Sequence, residues 1–289
     1  MLVGSAAVQF GVVVLLGKLA RRHGLPVEAM LSVRFGIGAV LLALTLLALR
    51  RPLLAAPGER ARLALLALFG YAVEATLFFT ALGYGTVAAV TLLFFTYPVV
   101  VTLGSWLVGR GGPARQTLLA LACALAGAVI VVGTGAGLQI ETTGVVVALA
   151  SATTYSAYLV GADVVLRRTN ALTSATWVSA GASVGLFAYA NAVGHWRLPM
   201  ASNEWFPLVG MGLASAGAFV CLMEGIQRIG AVRTAIVSAM EPLAAALLAW
   251  VFLDESISWG IAIGGALILV GAVTASLARA ATGREQQFP

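Results

Sequence analysis

Charged residues are scarce in this sequence. Of its 289 residues only 10% are Asp, Glu, Lys or Arg, whereas soluble domains carry about 25%. Hydrophobic residues make up 61%, more than a water-soluble fold can bury. No stretch is polar enough to form a separate soluble domain, which excludes a soluble enzyme, a nucleic-acid-binding protein and a membrane-anchored catalytic domain as interpretations. The composition instead predicts a chain that lies largely within a lipid bilayer.

Cysteine and histidine are equally rare, with two residues of each. Cys123 and Cys221 lie inside apolar runs, which is typical of small buried side chains and not of a disulfide framework. The sequence shows no metal-ligand spacing and no glycine-rich phosphate loop before a Lys-Ser or Lys-Thr pair. We therefore predict no cofactor, no metal, no enzymatic activity and no ATP-driven transport by this chain alone.

Long apolar runs, by contrast, fill the chain. A membrane-spanning helix needs about 20 apolar residues, so ten spans would use about 200 residues and leave the rest for short connections. Hydrophobicity begins at Leu2 without a cleavage site, so the first span is interpreted as retained. The runs, broken by Arg, Pro and Gly, predict ten helices at 2–20, 27–49, 62–82, 86–108, 116–134, 144–166, 172–193, 205–227, 231–252 and 257–279.

The basic residues predict how these helices are oriented. With ten spans, twelve of the 17 Lys and Arg residues fall in connections on one side of the bilayer and four on the other, while Arg34 lies inside a span. Because positively charged connections stay in the cytoplasm, both termini are predicted to be cytoplasmic. The predicted location is a bacterial-type inner (cytoplasmic) membrane.

The two halves of the sequence share a pattern. A shift of 144 residues places Tyr97-Pro98 on Glu241-Pro242 and Gly127 on Gly271. The repeat unit contains five spans, an odd number, so the two halves must insert with opposite orientations. We predict an all-α membrane domain built as an inverted repeat, in which inward-open and outward-open states can exchange; the alternative is a duplicated scaffold without a transport cycle. The predicted first repeat is 1–135, the second is 142–280, and 281–289 is a short cytoplasmic tail.

The second half also resembles a known family. Its features are a Gly230-Ala231 pair after a short break, Glu241-Pro242 within a helix, Leu253-Asp254-Glu255 at a turn and the glycines from Gly264 to Gly271. They are similar to the EamA-type transporters of the drug/metabolite transporter superfamily, which the first half matches through Arg34 and Tyr97-Pro98. The resemblance implies ten helices, cytoplasmic termini, and export or exchange of amino acids and other small metabolites.

Ionisable residues inside the predicted spans are costly to insert and are therefore candidates for function. Glu241 lies about 15 Å from the cytoplasmic face beside Pro242 and could bind a cationic group or a proton; a protonated side chain that serves only packing is the alternative. Arg34 and Glu74 share a depth and are predicted to form a buried pair, either structural or able to bind a substrate carboxylate. Glu224 lies four residues before Arg228, which predicts an ion pair or a gating contact.

Polar and aromatic faces on neighbouring helices complete the predicted site. Tyr71, Glu74 and Phe78 share one helix face, and Thr234, Ser238 and Glu241 share another. A third face carries Ser151, Thr154, Tyr155 and Tyr158. The predicted substrate-binding residues are Glu74, Tyr97, Tyr155, Glu241, Tyr71 and Ser238, and the predicted gating or structural residues are Arg34, Pro98, Pro242 and Glu224.

We therefore expect a secondary transporter, an exporter or exchanger of small organic metabolites, above all amino acids or related compounds, that works by alternating access. The drive is left open between the gradient of the solute and a proton gradient. Efflux of lipophilic drug-like cations is the nearest alternative; a non-transporting scaffold and an intramembrane enzyme are more distant ones. The expected partners are a small-molecule substrate, the lipid bilayer and, if transport is coupled, protons, with no nucleic acid, and the protein is expected to be a monomer or homodimer.

Overall fold

The protein is helical throughout the part of the chain that the computed structural model describes. That part comprises residues 2–22, 24–85, 87–109, 112–133, 140–166, 168–199, 202–238, 240–241, 244, 248 and 259–285. These residues form no strand, and their one isolated backbone bridge joins Gly85 to Ile140. Five of the described helices are long and apolar enough to cross a membrane, and shorter apolar helices accompany them.

Several helices follow the predicted apolar runs. Several boundaries, among them those of the helices at 60–81, 142–165 and 171–192, lie within two residues of the predicted ones. In chain order the helices are α1 (Leu2–Arg22), α2 (Val27–Ala48), α3 (Arg60–Ala81), α4 (Val87–Phe94), α5 (Tyr97–Leu107), α6 (Arg115–Gly133), α7 (Thr142–Val165), α8 (Ala171–Ala192), α9 (Ser202–Ser238) and α10 (Trp259–Glu285).

The structure divides the predicted span 86–108 into two helices. Helix α4 ends at Phe94, and α5 begins at Tyr97 after a turn at Phe95-Thr96. Pro98 lies in the first turn of α5, where a missing N–H costs little because first-turn N–H groups have no partner within the helix. Pro98 therefore starts a new helix instead of kinking a continuous one.

The predicted spans 205–227 and 231–252 meet within α9. The helix is interrupted at Gly230, whose backbone (φ 79°, ψ 166°) is non-helical and lies in a region that other residues rarely adopt. The break separates the stretch before Gly230 from Ala231–Ser238. Most of the chain from 239 to 258 lies outside the described residues, and with it Pro242 and the predicted turn at Leu253-Asp254-Glu255.

Helices from the first half of the chain pack on helices from the second half. The closest pairs are α1 with α9, α2 with α8, α3 with α7 and α6 with α10. Between α2 and α8, Ser32 Oγ donates to the carbonyl of Ser183 (3.1 Å) and Ser183 Oγ donates to the carbonyl of Ser32 (2.9 Å). The central space of the bundle is consequently bounded by both halves.

Helices α6 and α10 meet backbone to backbone at two glycines. A Cβ atom on Gly127 would lie 2.4 Å from the carbonyl oxygen of Gly264, and one on Gly271 would lie 2.7 Å from that of Ala120. Only glycine permits this approach, which is the small-residue packing that membrane helices use. Gly127 and Gly271 are also the residues that the 144-residue shift superposes.

Candidate functional site

A small cavity lies where α1, α2, α3, α4 and α7 converge on Glu241. Its volume is about 50 Å³, room for a few water molecules. A metabolite would therefore enter only if the lining helices moved apart. The side chains that line the cavity are Phe10, Val13, Val14, Arg34, Tyr71, Glu74, Ala75, Phe78, Phe79, Phe94, Tyr155 and Glu241.

Five of the ten predicted site residues line this cavity. Four of the six predicted binding residues line it, and Arg34 joins them from the predicted gating group. Tyr97 lies just behind the lining, with its ring 4.9 Å from that of Tyr155, and Ser238 lies beside the Tyr97 side chain. The four predicted binding residues on the cavity wall are Tyr71, Glu74, Tyr155 and Glu241.

Arg34 brings a positive charge into the membrane-embedded core. Its side chain is 3% exposed, and its Nε donates a hydrogen bond to Ser215 Oγ at 2.7 Å. The guanidinium carbon lies 4.5 Å from the centroid of the Phe35 ring, a cation–π distance. These contacts use part of the five-donor fork of arginine and fix its orientation against the cavity.

Glu74 accepts a hydrogen bond from a hydroxyl group of α7. The side chain is buried, and its Oε1 accepts a hydrogen bond from Ser151 Oγ at 3.4 Å, while the same hydroxyl donates to the Glu74 carbonyl at 3.2 Å. Arg34 and Glu74 line the same cavity and attract each other electrostatically. In this conformation the two side chains do not form the direct ion pair that their shared depth predicts, and the Nε of Arg34 donates to Ser215 instead.

Glu241 places a second carboxyl at the cavity, within the electrostatic field of Arg34. Two carboxylates and one guanidinium would leave the cavity with a net charge of −1, and one protonated acid would make it neutral. A buried charge without a counter-charge costs several kcal/mol. The lining is therefore suited to hold one additional cationic group or proton.

An aromatic cluster forms the wall beside these charges. Tyr71 is its centre, with ring centroids 4.7 Å from Phe219, 5.2 Å from Tyr158 and 6.2 Å from Tyr155. Tyr71 ends a π-helical turn, Leu66–Tyr71, that interrupts the α-helical pattern of α3. Such turns are frequent at functional sites because the extra residue re-aims the side chains that follow.

On the side of the cavity toward the start of α3, Tyr97 contacts two other helical segments. The Tyr97 hydroxyl donates to the carbonyl of Ala235 at 3.2 Å, and the Tyr97 carbonyl accepts from Ser156 Oγ at 3.1 Å. Thr234 precedes Ala235 on the same helical segment, and its hydroxyl is buried without a hydrogen-bond partner. Buried hydroxyls without a partner are uncommon. Thr234 lies on the same helix face as Glu241.

Glu224 forms the ion pair with Arg228 that its spacing predicts, whereas several residues of the cavity wall were not predicted. Glu224 does not line the cavity; it accepts a hydrogen bond from Arg228 Nε at 2.6 Å in an ion pair near the protein surface. Sequence reasoning missed Ser215, which holds Arg34, and the apolar lining from α1, because a serine or valine in an apolar span carries no signal that separates it from ordinary packing. Among the described residues no His, Cys, Asp and Glu side chains form a group of three or more that could hold a metal ion.

Comparisons with known proteins identify what this arrangement is similar to. A model of the EamA-like transporter family matches residues 1–133 and 142–277. The fold is similar to that of a solved structure described only as "Crystal structure of protein", with a TM-score of 0.81, 23% sequence identity and 96% of each chain covered. No curated protein matches the sequence.

Proposed function

The chain belongs to the EamA-like transporter family, and on that premise we propose that it is a secondary transporter that exports or exchanges small organic metabolites. Membership of the family makes it a membrane transporter of the drug/metabolite transporter superfamily. The observation that carries the proposal is the cavity at which Arg34, Glu74 and Glu241 meet an aromatic wall. Charged side chains are expensive inside a bilayer and mark substrate or ion pathways.

The proposed topology has ten crossings, arranged as an inverted repeat of residues 1–135 and 142–280. The pairing of α1 with α9 and of α3 with α7 supports it, because a two-fold axis would exchange these two pairs. The same axis would leave the pairs α2–α8 and α6–α10 unchanged. The unequal distribution of Lys and Arg supports cytoplasmic termini in a bacterial-type inner membrane.

The proposed mechanism is alternating access around this cavity. The lining extends from Tyr71 and Glu74 toward Phe78 and Phe79, near the end of α3 that we place at the outer face. The opposite side is closed by the aromatic cluster and by the hydrogen bond from Tyr97 to Ala235. Transport requires that the closed side and the open side of the cavity alternate between the two faces of the membrane. The helix breaks at 95–96 and at Gly230 allow the segments next to the closures to move separately.

The proposed substrates are amino acids or related zwitterions. The part of the Arg34 fork not bound to Ser215 can receive a carboxylate, which planar guanidinium groups bind in bidentate fashion. Glu241, together with Glu74, can receive the ammonium group of such a zwitterion. Phe10, Phe94 and Tyr155 offer an aromatic surface for an apolar side chain.

Ligand-induced stabilisation of the purified protein tests this assignment. A ligand present at 100 times its Kd stabilises the native state by about 2.7 kcal/mol, so a panel of amino acids should raise the Tm of the parent protein. We expect the stabilising amino acids to lose their effect in Arg34→Gln and in Glu241→Gln. A panel in which no amino acid shifts the Tm, or in which Arg34→Gln responds like the parent, would contradict the assignment.

Efflux of lipophilic cations is the second candidate, because the cavity holds two acids for one arginine. A cation would be bound by Glu74 and Glu241 without Arg34. Its stabilising effect should therefore persist or increase in Arg34→Gln, where the effect of a zwitterion is lost. It should disappear in the acid variants, as it does for a zwitterion, so the Arg34 variant is the one that separates the two candidates. Counterflow in proteoliposomes, measured with and without an imposed pH gradient, then tests proton coupling: an unchanged rate excludes it.

A further inference from the structure

A buried carboxylate joins two connections near the start of α3. Glu59 directly precedes α3, and its side chain is 7% exposed. Its Oε1 accepts a hydrogen bond from the backbone N–H of Arg168 at 2.9 Å. Its Oε2 accepts from the N–H of Thr169 at 2.9 Å and from Thr169 Oγ1 at 2.5 Å. Glu59 thus links the connection between α2 and α3 to the connection between α7 and α8, which belong to opposite halves of the chain.

Thr169 extends this network to a third segment, α9. Its hydroxyl oxygen accepts a hydrogen bond from the N–H of Ala56 at 3.0 Å. Its carbonyl accepts from Gln227 Nε2 at 2.8 Å, and Gln227 lies three residues before the break of α9 at Gly230. One hydrogen-bonded group therefore holds together the start of α3, the end of α7 and the segment of α9 just before Gly230. This group comprises Glu59, Thr169 and Gln227, and we call it the latch.

The second half carries a buried carboxylate at the corresponding position. Glu204 lies 145 residues after Glu59, the same offset that overlays other parts of the two repeats. It lies in the first turn of α9, is 5% exposed, and accepts a hydrogen bond from Arg197 Nη2 at 2.5 Å. In an inverted repeat, Glu59 and Glu204 would lie on opposite faces of the membrane. A costly buried acid at the same place in both halves indicates a task that each face requires.

We propose that the latch around Glu59 keeps the cytoplasmic side of the transporter closed while the cavity faces outward. This inference rests on the proposed function and topology. The three helix ends that the latch joins surround the inner side of the site, below the cavity and the Tyr97–Ala235 contact. Those ends must separate for the cavity to open inward, and separation breaks the hydrogen bonds of Glu59 to Arg168 and Thr169. Loss of the latch should then shift the population toward inward-open states.

The test measures how accessible a buried residue on the inner side becomes. Thr234 is fully buried, and its hydroxyl has no hydrogen-bond partner, so Thr234→Cys is a mild change. The native Cys123 and Cys221 are first replaced by Ala. Inside-out vesicles that contain this reporter protein are treated with a membrane-impermeant methanethiosulfonate reagent, and the labelling rate is followed.

Glu59→Gln should raise the labelling rate about fivefold or more, because an amide can no longer accept all the hydrogen bonds that the carboxylate accepts. The matched control is Glu224→Gln. It removes an acid near the same end of the bundle, but its ion pair with Arg228 stays within one helix. The control should leave the rate unchanged. An unchanged rate in Glu59→Gln, or an equal rise in the control, would overturn the latch.

A second variant keeps the proposal testable if Glu59→Gln does not fold. Gln227→Ala removes only the hydrogen bond between α9 and Thr169, from an exposed side chain. It should raise the labelling rate by a smaller factor, and no rise would contradict the proposal. Because labelling needs no substrate, these outcomes are independent of transport. A protein that carries none of the tested metabolites would contradict the proposed function alone.

Discussion

Replacement of Gly127 by alanine should destabilise the contact between α6 and α10. The new Cβ would lie 2.4 Å from the carbonyl oxygen of Gly264, 2.7 Å from Ile268 Cγ1 and 2.8 Å from the Ile268 backbone nitrogen. Ordinary contacts at these atoms need at least about 3.4 Å, so α10 must withdraw by about 1 Å. Two of the three atoms are backbone and cannot rotate away. Overpacking of this kind costs about 1–3 kcal/mol.

Thermal unfolding of the purified protein measures this effect. For a chain of this size 1 kcal/mol corresponds to about 2–4 °C, so Gly127→Ala should lower the Tm by roughly 2–12 °C. Gly104→Ala is the control, because its new Cβ would meet only Val160 Cγ2 at an ordinary 3.5 Å. We expect the control to be neutral or slightly stabilising, since alanine is the better helix former.

A double variant tests whether the two glycines belong to one interface. Gly271→Ala should cost a similar amount, because its Cβ would lie 2.7 Å from the carbonyl of Ala120 and 2.9 Å from the Ala124 nitrogen. Once one alanine has separated the helices, the second meets less resistance, so the double variant should lose less than the sum of both. A Tm of Gly127→Ala equal to that of the Gly104→Ala control would refute the packing argument.

Three further predictions concern the site and its scaffold. Arg34→Gln should destabilise the protein by about 3–5 kcal/mol because it leaves acids buried without a counter-charge, and adding Glu74→Gln should recover part of the lost Tm; a double variant less stable than Arg34→Gln would contradict this. Ser32→Ala and Ser183→Ala should each lower the free energy of unfolding by about 1 kcal/mol, because each removes one hydrogen bond. If both variants unfold at the parent Tm, these hydrogen bonds do not stabilise the protein. Tyr97→Phe removes the donor to Ala235 and should change the transport rate measured by counterflow without lowering the Tm by more than a few degrees; an unchanged rate would contradict a closing role.

Sequence reasoning placed several helices well and selected charged residues that lie together in the structure. Apolar length and Arg, Pro and Gly breaks located α2, α7 and α8 to within two residues, because a span in lipid must satisfy its backbone within one helix. The cost of a buried charge alone selected Arg34, Glu74 and Glu241, which the structure brings to one cavity.

The same reasoning could not find the partners of those charges. The π-helical turn at Leu66–Tyr71 has no recognisable sequence signal, although it sets the direction of Tyr71. Ser215 holds Arg34 across a sequence separation of 181 residues, and one serine in an apolar helix is typical of many helix contacts. The expected ion pair of Arg34 with Glu74 followed from equal depth, but depth does not determine which neighbour a side chain reaches.

What the sequence by itself determined is therefore the helical architecture, the duplication and the few residues whose charge is too costly to be accidental. These properties depend on local composition and on transfer into lipid, which act on each segment separately. Only the tertiary structure decided the hydrogen bonds from Arg34 to Ser215, from Tyr97 to Ala235 and from Thr169 to Glu59. These contacts join residues far apart in the chain, and their geometry is set by how whole helices pack against one another.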